Sequence, residues 1–332
     1  MKEEINFLRK NNYMIRPKII QMEVTRACPL SCPQCYKNLE GQMHMDKEVL
    51  QKLLQQYADI APCALMINGG EPLLYPYFEE LITYCSEKRI SCYVYSSGYG
   101  IENISIKTLK RVNIDISLNG SSQEINELSR DGYEVALAAM RFLSDSNVEF
   151  GITWVARHDN IDDLPNMFEL ARNRGAKHIQ IIGNKVNSYG TLVSELERTD
   201  YEKLIRYIHA YEEQENIVEV HRQQCFSFLH VAEGTGYVPL SNGCMAGILS
   251  CAVDLYGHFL PCMHINVSEN ATSLMEYWHK SQILNDIRTT QYNEIEECIG
   301  CKHIEYCHFC RASFANSGVD LQKGPKNCCL KE

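Results

Sequence analysis

From about residue 18 to residue 215 the chain alternates two hydrophobic rhythms. Short β-branched runs, Ile19–Val24, Ala64–Ile67, Ser91–Tyr95, Ile114–Leu118, Gly151–Val155 and His178–Ile182, read as strands. Between them, apolar residues recur at the helical period, as in Val49, Leu50, Leu53, Leu54 and Tyr57, or in Leu164, Met167, Phe168 and Ala171. Six strand–helix units in succession predict a parallel sheet covered by helices. Periodicity leaves open whether that sheet closes. After Glu215 the rhythm fails, and the turn-rich stretch GTGYVPLSNG at 234–243 places a domain boundary near residue 240. Beyond it the chain is cysteine-dense, with one helical pattern at about 273–288.

Composition narrows the class. The chain has 332 residues, 45% of them hydrophobic, enough for one large core and a smaller one. The net charge of −10 is spread along the chain without a basic stripe, so no nucleic-acid partner is expected. No apolar run is long enough to span a bilayer, and the N-terminus lacks the apolar core of a signal peptide, which predicts a cytoplasmic protein with no membrane attachment. Sixteen cysteines in such a protein point to metal ligation rather than disulfides. Cys63, Cys85, Cys92, Cys225 and either Cys328 or Cys329 fit no ligand pattern and read by default as small core residues.

Three cysteines, Cys28, Cys32 and Cys35, fall within CPLSCPQC, directly after the first strand. A structural zinc site normally takes four protein ligands, and a 4Fe–4S cube has four irons to hold. Three thiolates leave one iron open to chemistry. The carboxyl end of a parallel strand is also where such folds place their sites. Pro29 and Pro33 stiffen the loop and remove amide donors. The second motif, INGGEP at Ile67–Pro72, ends the second strand with glycines that let a backbone approach a ligand closely. These motifs resemble those of the radical S-adenosylmethionine enzymes, whose signature is a CxxxCxxC loop after the first barrel strand. The resemblance implies a partial (β/α)6 TIM-like barrel. In that family an aromatic residue usually precedes the last cysteine; here Gln34 stands there and Tyr36 follows it.

By the same resemblance, Gly69, Gly70, Glu71 and Pro72 contact the methionyl part of S-adenosylmethionine. Ser97 in YSSG, Ser117 in ISLNG and Arg130 in LSRDGYE are candidate contacts to its ribose or carboxylate. The C-terminal cysteines resemble a SPASM extension with two auxiliary 4Fe–4S clusters, three clusters in all. Carried over position by position, the nearer auxiliary cluster takes Cys244, Cys251, Cys262 and Cys310. The farther one takes Cys298, Cys301, Cys307 and Cys328, the spacing favouring Cys328 over Cys329. Only two residues separate Cys307 from Cys310 where relatives commonly have three. Zinc ribbons also use CxxC pairs, but they do not account for the N-terminal loop. The implied organisation is an extension at 1–17, a barrel at 18–215, a linker at 216–240 and a SPASM domain at 241–332, which removal of iron should unfold.

The resemblance implies reductive cleavage of S-adenosylmethionine to a 5′-deoxyadenosyl radical that abstracts hydrogen from a peptide. The product would be a thioether or carbon–carbon crosslink, or an epimerised residue, in a ribosomally made peptide. The alternatives are a small-molecule dehydrogenase or decarboxylase and a sulfatase-maturase-like enzyme. An electron donor such as flavodoxin or ferredoxin is implied. Seventeen residues precede the first strand, too few for a leader-binding domain, so either a separate leader-binding protein or direct binding is expected. Cys225 is a candidate hydrogen donor or substrate ligand.

Overall fold

In the computed structural model the described residues are 2–41, 43–214, 217–223, 243–301, 304 and 309–313. Helix α1 (Lys2–Asn11) precedes the alternating region β1 (Ile19–Thr25), α2 (Lys47–Ile60), β2 (Cys63–Gly69), α3 (Phe78–Glu87), β3 (Ile90–Ser96), α4 (Ile106–Leu109) and β4 (Val112–Ser117). It continues through α5 (Gln123–Glu127), α6 (Tyr133–Asp145), β5 (Phe150–Ala156), α7 (Leu164–Arg174), β6 (His178–Gly183), α8 (Arg198–Glu213) and β7 (Glu219–Arg222). Then follow β8 (Ser250–Val253), β9 (Phe259–Leu260), α9 (Leu274–Lys280) and α10 (Gln282–Thr289).

The nine strands found among the described residues join one open sheet in the order β7-β6-β5-β4-β3-β2-β1-β8-β9. Every pairing is parallel except β8 with β9. The sheet ends on β7 at one edge and β9 at the other, so it is a partial barrel. Three strands, β7, β8 and β9, lie outside the six predicted from the alternation. β7 falls within 216–240, and β8 pairs with β1 from Ile19↔Ser250 to Met22↔Val253, so cysteine-rich sequence contributes to the same sheet.

Side chains alternate across a strand, and here the two faces differ in chemistry. One face carries Ile20, Met22, Leu65, Ile67, Val94, Ile114, Ile116, Ile152, Ile179 and Ile181, buried against α2, α3, α6 and α7. Cys63, Cys85 and Cys92 are buried in this apolar layer. The opposite face carries Glu23, Asn68, Tyr95, Asp115, Thr153, His178, Gln180 and His221. The open sheet thus has one apolar, helix-covered face and one polar face. The pattern predicted at 273–288 resolves into α9 and α10, separated at Ser281, whose hydroxyl caps α10 by accepting from the Leu284 amide.

Candidate active site

The loop after β1 that carries the first three cysteines is held on three sides. At its start, the Ala27 amide donates to Thr25 Oγ1 at 3.0 Å, and Thr25 Oγ1 donates to the Met43 carbonyl at 2.8 Å. From β2, the Gly70 amide donates to the Thr25 carbonyl and the Glu71 amide to the Ala27 carbonyl, both at 2.7 Å. A Cβ on Gly69 would lie 2.3 Å from the Thr25 carbonyl oxygen, and one on Gly70 2.5 Å from that of Ala27. Only glycines allow this approach. From the segment before α6, Ser129 accepts from the Gln34 amide and Asp131 from the Ser31 amide. From the loop after β6, Ser188 donates to the Cys35 carbonyl at 2.9 Å and Asn187 Nδ2 to that of Pro33 at 3.3 Å.

Cys28, Cys32 and Cys35 are unbridged and partly exposed. Burial pushes the Cys28 thiol up to about 11, and burial likewise raises Cys35, against the pull of the Arg130 and Lys37 charges. Three thiols on one loop form a donor set that suits an iron–sulfur cluster, on whose binding they would lose these protons. Arg130 supplies a second indication: its buried Nε has no hydrogen-bond partner among the described residues, close to Cys35. An orphaned guanidinium nitrogen beside three thiols suits an anionic group of a bound cofactor.

Glu71 is turned inward. Its carboxylate accepts from Ser96 Oγ at 2.8 Å, the Ser97 amide at 2.8 Å, Ser97 Oγ at 2.5 Å and the Leu73 amide at 3.2 Å. Burial raises its pKa, opposed by those donors. Glu71 and Ser97 therefore brace the end of β2 against the end of β3, and Pro72 starts a short 3-10 turn. Ser117 ends β4, level with Thr153 on β5. Asn119 stands in the ISLNG motif, but no role was assigned to it there. Buried, it bonds the Val155 amide and Ser129 Oγ, tying the end of β4 to the segment before Arg130.

The second cysteine field is partly gathered. Cys244, Cys262 and Cys310 are gathered: burial first, then the nearby Cys310, raises Cys244, and burial first, then Cys244 and Cys310, pushes Cys262 up to about 12. Cys251 is placed elsewhere. It sits fully buried on β8, paired in register with Ile20, among groups that include Tyr57, Tyr277 and Arg288. Strand alternation is the reason: Cys251 points into the helix-covered layer, while its neighbour Ala252 packs with Leu260, Met263 and Tyr36. Cys298 and Cys301 share a turn closed by the Cys301 amide on the Cys298 carbonyl. Cys225, Cys307 and Cys328 lie outside the described residues.

Between the two fields, Lys37 pairs with Glu23 at 3.1 Å, and Arg26 lies 3.6 Å from the same carboxylate. His264 is held well below its ordinary pKa by burial and then by Lys185 and Lys37. Among the described residues no helix is long and apolar enough to cross a membrane.

Residues 22–171 match the Radical SAM superfamily. This stretch is a Radical SAM domain. It contains the three-cysteine loop, the glycine pair, Glu71 and Arg130 described above. Over a longer span the chain is similar to an AdoMet-dependent heme synthase of Nitratidesulfovibrio vulgaris, 22% identical over 95% of this chain and 92% of that protein. It is also similar to a PqqA peptide cyclase of Gluconobacter oxydans, 24% identical over 87% of this chain and 84% of the cyclase. In fold it matches Streptococcus suis SuiB bound to precursor peptide SuiA, with a TM-score of 0.78 and 17% identity over 94% of this chain and 75% of SuiB. The Radical SAM domain and the segment that adds β8 and β9 thus share one fold with that protein.

Proposed function

We propose that this chain is a radical S-adenosylmethionine enzyme that modifies a peptide. The observation that carries the reading is the three-thiol loop at the carboxyl end of β1, pressed against the Gly69–Gly70 turn with Arg130 beside it. When bound, a 4Fe–4S cluster and S-adenosylmethionine supply the one-electron cleavage that yields a 5′-deoxyadenosyl radical able to abstract hydrogen. The chain's own residues hold and orient. Cys28, Cys32 and Cys35 ligate the cluster, Gly69 and Gly70 bring backbone close to the methionyl portion, and Arg130 and Ser117 face the cofactor's polar groups. Glu71 and Ser97 keep the β2 and β3 ends rigid. The polar face of the open sheet receives an extended chain.

The second field is read as two auxiliary 4Fe–4S sites, one on Cys244, Cys262 and Cys310, the other on Cys298 and Cys301 with Cys307 and Cys328. A low-potential donor of the flavodoxin or ferredoxin type supplies electrons, and a separate leader-binding protein or direct contact recognises the substrate. Cys225 is retained as a hydrogen donor, a role that full turnover of Cys225→Ala would remove. A second reading, a small-molecule dehydrogenase or decarboxylase, draws on the near full-length likeness to the heme synthase.

One experiment tests both. The chain is reconstituted anaerobically with iron and sulfide, then given S-adenosylmethionine and a low-potential reductant. Formation of 5′-deoxyadenosine is expected; its absence rejects the radical chemistry. Short peptides encoded beside the gene should then change mass by two units on crosslinking, or take up solvent deuterium on epimerisation. Conversion of an iron tetrapyrrole with no change in any peptide favours the second reading.

A further inference from the structure

Tyr36 directly follows Cys35, and His264 comes two residues after Cys262. Their rings meet with centroids 3.9 Å apart and planes inclined at 43°. The His264 amide also donates to Cys262 Sγ at 3.5 Å. This contact is built. Tyr36 packs on Ala252, Leu260 and Met263, and the Lys37 ammonium lies 5.4 Å from its ring centroid while paired to the buried Glu23. No hydrogen bond fixes the buried edge of the His264 ring: its Nδ1 has no hydrogen-bond partner among the described residues. What the ring does make is the contact with Tyr36.

We propose that the Tyr36–His264 pair is the bridge by which an electron passes between the Cys28/Cys32/Cys35 site and the Cys244/Cys262/Cys310 site. The inference rests on the reading of both as iron–sulfur sites. Apart from one ring-to-ring contact, the path runs through covalent bonds, from Cys35 into Tyr36 and from His264 through Met263 to Cys262. Electron tunnelling weakens steeply with each through-space gap, so a route with a single van der Waals step is favoured. The balance is simple. One electron leaves the reduced centre on one side and one arrives at the oxidised centre on the other. No bond forms or breaks in either ring, and no proton moves. The first electron comes from a low-potential one-electron donor.

The test uses the full reconstituted chain without peptide, reduced by a flash-activated deazaflavin. It reads iron per chain and the rate at which the electron paramagnetic resonance signal redistributes between the centres. Tyr36→Leu and His264→Leu should keep the wild-type iron content yet slow redistribution by at least an order of magnitude. Tyr36→Phe, which keeps the ring, should remain close to wild type. Wild-type rates in both leucine variants overturn the inference, as does a Tyr36→Phe variant as slow as Tyr36→Leu. Loss of iron in the leucine variants assigns the pair to scaffolding and equally overturns it. If the wild type binds no iron on Cys244, Cys262 and Cys310, both the auxiliary-site reading and this bridge fall, an outcome the iron count separates from the others.

Discussion

Gly70 shows how narrowly this site is set. Its amide is bonded to Thr25, and the space a side chain would fill is taken by the Ala27 carbonyl. Gly70→Ala should force the cysteine loop away from β2, destabilising the protein by about 1–3 kcal/mol as overpacked sites do. Iron per chain should drop with it; full loading together with an unchanged Tm would show that the close approach is dispensable. Glu71 teaches a different lesson. The motif marks it as a cofactor contact, whereas its oxygens are engaged by Ser96 and Ser97, two side chains whose spatial position no linear pattern records. Asn119 and Tyr36 stood in or beside quoted motifs without these roles, and His264 stood in none, for the same reason: their importance lies in what the fold brings beside them.

A residue pair on the inner face gives a pH-dependent expectation. His178 Nε2 lies 2.9 Å from Asp115 Oδ1, in space left by Gly151, where a Cβ would meet the His178 ring at 2.2 Å. Burial works to lower the His178 pKa, but the hydrogen bond and charge of Asp115 outweigh it and the net shift is upward. Glu219 acts in the same direction, and His221 stacks on the His178 ring at 4.4 Å. A histidine whose folded pKa exceeds its unfolded value stabilises the fold fully below the unfolded value, and that contribution is lost as pH rises through the folded one. The stability difference between wild type and Asp115→Asn should therefore shrink as pH rises from about 6 to 8. Thermal melts across that range read it; a constant or widening difference contradicts the assignment.

At the scale of elements, β8 separates cysteines that look alike in the sequence. Its alternation points Cys251 into the apolar layer and leaves Cys262, beyond β9, beside Cys244 and Cys310. Cys251→Ala should lower stability by about 1 kcal/mol through lost packing while iron per chain stays at the wild-type value. Cys262→Ala should lose iron, and equal loss in both variants would return Cys251 to the ligand set. The six longer strands were legible because each carries a hydrophobic run bounded by turns. β7 and β8 were not. Each has four residues, and β8 reads SCAV inside a run of cysteines, where spacing suggested a metal loop rather than a strand. Helix α1 was equally hidden: KEEINFLRKN is polar on average and lies ahead of the strand–helix alternation.

The whole molecule departs from a division at residue 240 in one respect. Leu255, Phe259, Leu274, Tyr277, Trp278 and Leu284 belong to the same buried core as β1 and α2. Arg288 reinforces the join, its guanidinium 3.6 Å from the Tyr13 ring centroid and 4.8 Å from that of Trp278. Chelating iron should therefore leave 250–289 folded and expose only sequence nearer the cysteines of 298–310. Limited proteolysis with mass mapping checks this: cleavage within α9 or α10 of the iron-free chain would mean that metal, not the shared core, holds them.

The place of β8 beside β1 also bears on how the protein is made. Strand β1 leaves the ribosome well before β8, its partner on that side, which follows more than two hundred residues later. Until then the nascent chain presents a bare, apolar edge, Ile20 and Met22 included, of the kind that recruits foreign strands. A chain halted after residue 223 should accumulate in inclusion bodies, and co-expression of the missing piece should rescue it only if docking onto that edge outpaces aggregation.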